Sequence, residues 1–139
     1  LDYIAMHMKG DPRTMQSLAQ YDSVVTDVIE FFKQFEERAS RFGINNYIID
    51  PGFGFSKTIS QNYELLAHLD EFSTLNREIL VGISRKSMIY KLLGTSPDDA
   101  LSATSALHLY ALNKGASILR VHDVRQAKEV VSLYNALQQ

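Results

Sequence analysis

The sequence predicts an α/β chain of four consecutive βα units with parallel strands, arranged as half of an eight-unit barrel. Four short apolar runs recur along it, each followed by a polar cluster and then a helical pattern, which is the signature of βα units. All four runs end in polar, ionisable side chains. A doubly wound sheet usually carries one main ligand loop near a switch point, whereas a barrel gathers functional groups from several strand ends. A closed barrel needs eight strands, so four leave two open edges and an uncovered inner face.

The first unit runs Asp2-Tyr3-Ile4-Ala5-Met6 into His7-Met8-Lys9-Gly10. A helix is expected over residues 22–42, because Val24, Val25, Val28, Ile29, Phe32, Phe35 and Ala39 follow helical spacing and Gly43 stands where a C-terminal cap belongs. Its phenylalanine stripe reads as core packing. The second strand, Tyr47-Ile48-Ile49, opens into Asp50-Pro51-Gly52-Phe53-Gly54-Phe55-Ser56-Lys57. Aspartate is disfavoured inside strands, and two glycines with two phenylalanines in eight residues suit a tight loop that offers flat apolar surface to a ring. An ordinary β-to-α turn would use the same residue types.

A second helix is expected over 60–75, burying Tyr63, Leu66, Ala67 and Leu69 or nearby positions and leaving His68 at the surface or its boundary. The third strand, Ile79-Leu80-Val81-Gly82-Ile83, runs into Ser84-Arg85-Lys86-Ser87. Two helices fit before the fourth strand. A short one over 87–93 is closed by Gly94, and Ser96-Pro97-Asp98-Asp99 opens another with a cap, a first-turn proline and acids that complement the positive helix end. That helix reaches Lys114, stops at Gly115 and carries His108 as a structural residue. The fourth strand, Ser117-Ile118-Leu119-Arg120-Val121, meets His122-Asp123. Asp123 is expected to cap a last helix with Val124, Ala127, Val130, Val131, Tyr134 and Leu137 on one face.

Composition narrows the function classes. At 139 residues and 45% hydrophobic, one compact core and one domain over 1–139 are the expectation. A formal charge of −2 and a pI near 6.1 make no electrostatic case for nucleic acid or an anionic membrane. With no cysteine, disulfides and thiolate metal sites are excluded. Neither a run of about 20 apolar residues nor a signal-peptide layout is present. Together these point to a cytoplasmic protein. The chain opens at Leu1 inside a strand-like run, as a piece of something longer would.

Four segments resemble dihydropteroate synthase, in that family's order and spread over the whole chain. They are Met6-His7-Met8-Lys9-Gly10-Asp11-Pro12-Arg13-Thr14-Met15-Gln16, then Asp50-Pro51-Gly52-Phe53-Gly54-Phe55, Gly82-Ile83-Ser84-Arg85-Lys86-Ser87 and Arg120-Val121-His122-Asp123-Val124. The resemblance implies the fifth to eighth strands of a (β/α)8 TIM barrel, the second half, with the first half absent. It also implies an enzyme of folate biosynthesis, the target of sulfonamides, which joins 4-aminobenzoate to 6-hydroxymethyl-7,8-dihydropterin diphosphate and releases pyrophosphate.

On this resemblance Asp50 binds the donor edge of the pterin, its 2-amino group and N3, which a carboxylate can accept in bidentate fashion. Lys86 donates to the pterin carbonyl and a ring nitrogen. Arg120 lays its guanidinium on the ring and faces the diphosphate, a double use that lysine could not copy. His122 joins it on the diphosphate, and Met6 packs beneath the pterin. Phe55 lines the 4-aminobenzoate ring, and Ser87 at a helix start suits its carboxylate. Lys57 and Arg85 add local positive charge or serve structure, and His7 supports the strand end. Ser56 stands where many relatives carry glycine.

The resemblance further implies Mg2+ in the complete enzyme, held by an asparagine in the missing half, and a homodimer. The mobile Ser-Thr-Arg-Pro loop and the first-half Asp and Asn of the pterin pocket are also missing, so the chain alone is expected to be inactive. Two other readings compete. A methyltetrahydrofolate-dependent methyltransferase shares a pterin-binding barrel, but the Ser-Arg-Lys-Ser and Arg-Val-His-Asp segments argue for the synthase. A non-catalytic α/β interaction module would leave the complementary groups at four strand ends unexplained.

Overall fold

The structure, a computed structural model, describes residues 3–11, 13–15 and 17–139. Asp2 of the first strand, and Pro12 and Gln16 of the first motif, lie outside the described residues. Strand β1 (Tyr3–Met6) pairs in parallel with β2 (Tyr47–Asp50), in a register that sets Met6 opposite Asp50. Strand β3 (Leu80–Val81) pairs in parallel with β4 (Ile118–Leu119). A parallel bridge between Ile49 and Ile79 joins the two pairs. The strands therefore lie in sequence order with no switch point, as in a barrel wall.

Helix α1 (Val24–Arg41) begins at Ser23, whose side chain accepts the Thr26 N–H, and buries Val24, Val25, Val28, Phe32 and Ala39. It ends at Phe42, with Gly43 following at φ +72°. Helix α2 (Ile59–Ala67) is shorter than its apolar pattern suggests. Thr58 and Gln61 form a capping box at its start, but after His68 the chain tightens into a 3-10 helix over Leu69–Leu75. Leu69, Phe72 and Leu75 are all buried there. A repeat of three residues per turn keeps them on one line, which an α-helix would rotate away. The burial expected at Tyr63 and Ala67 is only partial, and Leu65 and Asn62 are buried instead.

Helix α3 (Ser87–Leu93) closes at Gly94 in the left-handed region, where the sequence places its C-terminal cap. The next helix does not run unbroken from Ser96. Pro97–Asp99 form a 3-10 turn, and α4 (Leu101–Asn113) follows Ala100. The carbonyls of Pro97 and Asp98 accept from the Arg85 guanidinium at 2.7 and 2.8 Å, so they are turned away from a continuous α-helical ladder. Ser96 makes no capping bond to the backbone. Its hydroxyl meets Asp99 instead. Helix α5 (Val124–Leu137) starts at Asp123, whose carboxylate is likewise drawn off, to Arg85.

The core joins α1, α2 and the 3-10 segment to the inner strand residues through Phe32, Phe53, Phe72, Ile49, Leu65 and Ile83. On α5 only Ala127 and Val130 are buried, and Leu137 is 66% exposed. Beside them an apolar groove of about 530 Å³ runs along the β4 and α5 edge. The amphipathic face of α5 is real, but part of it has no neighbouring unit to cover it. Among the described residues no helix is long and apolar enough to cross a membrane.

Phe72 is fully buried and Phe42 is 82% exposed. Phe72→Ala is expected to cost ~3–5 kcal/mol in urea unfolding. Phe42→Ala should stay within ~0.5 kcal/mol of the parent. Equal midpoints for the two variants would contradict this core.

Candidate functional site

Asp50 ends β2 with only 1% of its surface exposed. Its Oδ1 accepts the Gly52 N–H at 2.9 Å, while Oδ2 is buried without a hydrogen-bond partner. The Arg120 Nη1 lies 3.6 Å from Oδ2, close enough for an ion pair but beyond a hydrogen bond. Burial pushes the Asp50 pKa up. The Gly52 N–H and the charges of Arg120, Lys86 and Lys57 pull against it, so the carboxylate has electrostatic support with one oxygen left open.

The loop that follows turns by left-handed residues at every second position, Gly52 at φ +77°, Gly54 at +83° and Ser56 at +53°. A Cβ at Gly52 would overlap the carbonyl oxygen of His7, so that glycine also lets the end of β1 approach. At Ser56 the same region explains why glycine suits this position, and local bonds hold the serine there. Its Oγ accepts the Lys9 N–H at 2.9 Å and its carbonyl accepts from the Tyr21 hydroxyl at 2.9 Å. Phe53 is fully buried, so of the two loop phenylalanines only half-buried Phe55 is open to a ligand ring.

Lys86 approaches the same loop from the N-cap of α3. Its ammonium donates to the Phe53 carbonyl and lies 4.7 Å above the Phe55 ring. Burial first, then Arg120, pushes its pKa down to about 8, with Asp50 opposing. Lys86 stands between two concavities. One, of about 300 Å³, is lined by Gly54, Phe55, Arg85, Ser87, Tyr90 and Pro97 as well as Lys86. The other, of about 130 Å³, is formed with Gly82, Ser84, Arg120, Val121 and His122.

The structure thus brings Asp50, Lys86 and Arg120 together from the ends of three consecutive strands. Met6 reaches them through its register with Asp50 and is half-buried. His122 faces the smaller concavity, with Nδ1 3.0 Å from the Ser84 hydroxyl. Ser87 and Phe55 line the larger one. His108 lies buried in α4 with Nε2 unpartnered, and burial pushes its pKa down, which suits a neutral packing residue.

Three contributions were not legible from residue type. Gly82 leaves room for Arg120, since a Cβ there would sit 2.6 Å from the guanidinium Nη2. Arg85, partly exposed at the rim of the larger concavity, takes a structural role. It adopts φ +53°, turning its side chain outward onto Asp123 at 2.8 and 3.1 Å, while its N–H donates to Thr104 Oγ1 at 3.1 Å. This fork ties the ends of β3 and β4 to the 97–99 turn, and the hydrogen bond from Arg85 holds the Asp123 pKa down. Lys57, the third, is buried beneath the loop. A positive-φ arginine and a lysine just past a glycine loop carry no sequence mark that separates them from surface charges.

Among the described residues no group of three His, Asp or Glu side chains could hold a metal ion. Residues 1–122 match the family model described as pterin binding enzyme. The dihydropteroate synthase of Escherichia coli K12 is 44% identical over 133 residues, covering 94% of this chain and 47% of that protein. That of Haemophilus influenzae is 42% identical over 133 residues, with 94% and 48% covered. The crystal structure of Yersinia pestis dihydropteroate synthase with a sulfonamide drug complex superposes with a TM-score of 0.95 at 41% identity, over 99% of this chain and 51% of that one. The Thermus thermophilus enzyme in complex with 6HMPPP gives 0.94 at 40% identity, over 100% and 56%. The chain spans about half the length of these relatives.

The raised pKa of Asp50 fixes the sign of a stability effect. Below the ordinary carboxylate value of 3.8 the group is protonated both folded and unfolded, and no penalty applies. Between that value and the raised folded pKa the unfolded chain ionises while the buried group resists, so a penalty builds up and is complete above the folded pKa. Asp50→Asn keeps an oxygen for the Gly52 N–H, so it should raise stability at pH 7 by ~1 kcal/mol and leave it unchanged near pH 3. Urea midpoints at the two pH values check this, and a loss of stability at pH 7 would contradict it.

Proposed function

The chain belongs to the pterin-binding enzyme family, and on that footing we propose that it supplies the pterin-holding half of a dihydropteroate synthase barrel. The reaction would join 4-aminobenzoate to the pterin carbon that bears the diphosphate. One observation carries the reading. A buried carboxylate with an open oxygen meets two cations, Lys86 and Arg120, on a scaffold that superposes on solved dihydropteroate synthases.

In this reading the open Oδ2 of Asp50 accepts from the pterin N3 and 2-amino groups, which removes its unpaired state. Lys86 exchanges the Phe53 carbonyl for the pterin carbonyl and a ring nitrogen. Arg120, with its side chain 52% exposed above Gly82, turns its plane to the ring and its edge to the diphosphate. His122 shares the smaller concavity with Arg120 and adds a donor for the leaving group, and Met6 closes the pterin from the β1 side. Phe55 and Ser87 hold 4-aminobenzoate in the larger concavity. Helix α3 has only seven residues, so its dipole is a small part of that hold.

The step is an alkyl transfer. The C–O bond to the diphosphate breaks, and the electron pair leaves with pyrophosphate. The neutral arylamine attacks the cationic pterin methylene, forming the C–N bond and releasing one proton. No covalent enzyme intermediate is formed. The chain's contribution is charge stabilisation of the leaving group and alignment of two substrates.

Among the described residues no group of three His, Asp or Glu side chains could hold a metal ion; the magnesium of the complete enzyme is proposed to take its asparagine ligand outside this chain, and no step runs through it. Binding without turnover is the proposed property of the chain alone. The apolar groove along β4 and α5 supports a homodimer, and the cytoplasm is its proposed compartment.

Calorimetric titration with 6-hydroxymethylpterin is expected to show binding to the parent chain. Asp50→Asn should weaken it at least ~30-fold, about 2 kcal/mol, because the mismatched amide faces the pterin donors. Equal binding by both would remove Asp50 from the pterin site, and no binding by the parent would refute a preformed pocket.

A further inference from the structure

Lys57 is the least expected charge in the molecule. It is 3% exposed, and its ammonium lies 2.9 Å from His7 Nδ1, 3.0 Å from the Gly52 carbonyl and 3.0 Å from the Phe55 carbonyl. An ammonium has three donors, and here each has an acceptor. Among the described residues none of its hydrogen-bond partners is a carboxylate, so this is no ordinary buried ion pair. The bonds close a short circuit. Gly52 gives its N–H to Asp50 and its carbonyl to Lys57, while Phe55 gives its N–H back to the Gly52 carbonyl at 3.1 Å and its own carbonyl to Lys57.

Simple loop anchoring needs no charge, since an amide or hydroxyl can satisfy two carbonyls. The cost of burying this cation is large, and it pushes the Lys57 pKa down to about 7. The groups facing it are His7 and Lys9 past β1, Tyr21 beside His7, Asp50 at the end of β2 and Lys86 at the start of α3. His7 is held neutral, its pKa pushed down to about 3 by burial and then by Lys57 and Lys9. Of these groups only Asp50 attracts the ammonium, and Lys57 in turn supports the ionised form of Asp50.

We propose that Lys57 is a positioning residue of the ligand site, its ammonium fixing the loop that holds Asp50 and carries Phe55 while supplying a cation behind Asp50. The role rests on the pterin-site reading of Asp50. It differs from the parts of Lys86 and Arg120 because Lys57 has no path to the ligand. When those two residues turn to a bound pterin and diphosphate, the charge behind Asp50 remains.

The test compares the parent with Lys57→Met, which keeps the stem and removes the charge and donors. Ligand-free measurements come first: the Asp50 carboxyl titration by carbon-detected NMR and hydrogen exchange at the Gly52, Gly54 and Phe55 amides. In the variant the Asp50 pKa should rise further, the loop amides should exchange faster, and circular dichroism should be unchanged. Affinity for 6-hydroxymethylpterin should fall by roughly tenfold, because the loop that holds Asp50 loses its anchor and Asp50 loses a supporting charge. An Asp50 titration and loop exchange identical to the parent's would overturn the proposal.

If the variant does not fold, the parent alone decides. Its Asp50 carboxyl shift should show a second inflection where the Lys57 side chain titrates, near neutral pH, and a single inflection would overturn the proposal. A parent that binds no pterin but shows the coupled titration counts against the functional reading and supports the positioning role of Lys57.

Discussion

The half-satisfied carboxylate of Asp50 is the constraint around which the strand ends are organised. A buried anion with one open oxygen is unfavourable unless opposite charge stands near it and backbone donors reach it. Strand β2 places Asp50 where the sheet ends, and its neighbours supply the compensation. Gly52 gives the donor, Arg120 comes from the end of β4, Lys86 from the end of β3, and Lys57 from below the loop. Lys86 and Lys57 are themselves penalised by burial, so the site stores incomplete pairing that a ligand with donors on one edge and negative charge on another would complete. The Asp50 cluster is therefore a weak contributor to stability.

Backbone conformation turns these side chains inward. Gly52, Gly54 and Ser56 alternate into the left-handed region, folding the loop back over Asn62 and Lys57. Arg85 does the same after β3, and the consequence is a division of labour between adjacent cations. Arg85 points outward and binds Asp123, whereas Lys86 points inward toward Phe53 and Asp50. A non-glycine residue at positive φ costs free energy. The four hydrogen bonds of the Arg85 side chain offset that cost and tie β3, β4 and the 97–99 turn into one rim.

Much of this was legible from order and spacing. The order of βα units puts the strand ends on one side of the sheet, but order alone left open whether Asp50, Lys86 and Arg120 meet; their proximity comes from the structure. Helices α1 and α3 were plain, because capping residues and apolar spacing agreed. The 3-10 segment after His68 was not, since Leu69, Phe72 and Leu75 satisfy an α-helical template over short stretches as well as a three-residue one. Lys57 and Arg85 read as generic positive charge because their partners lie across loops, in His7 and in Asp123. The amphipathic face of α5 was visible, but periodicity identifies an apolar face without saying whether a neighbour covers it.

Lys86 explains why the two concavities form one site. Among the described residues it is the only one lining both, and its ammonium bridges the glycine loop to the Arg120 side. With a pKa of about 8 it is mostly charged at neutral pH, yet close enough to titration that its environment matters. In the ligand-free site the charged form holds the Phe53 carbonyl and lies over the Phe55 ring that walls the larger concavity; a ligand anion placed by Arg120 and His122 would favour that charged form while the ring of the ligand competes with Phe53 for its donors. Filling the smaller concavity would therefore act on the wall of the larger one through a single ammonium. That coupling requires no movement of the strands, only a rotation of the Lys86 side chain within a rim already fixed by Arg85.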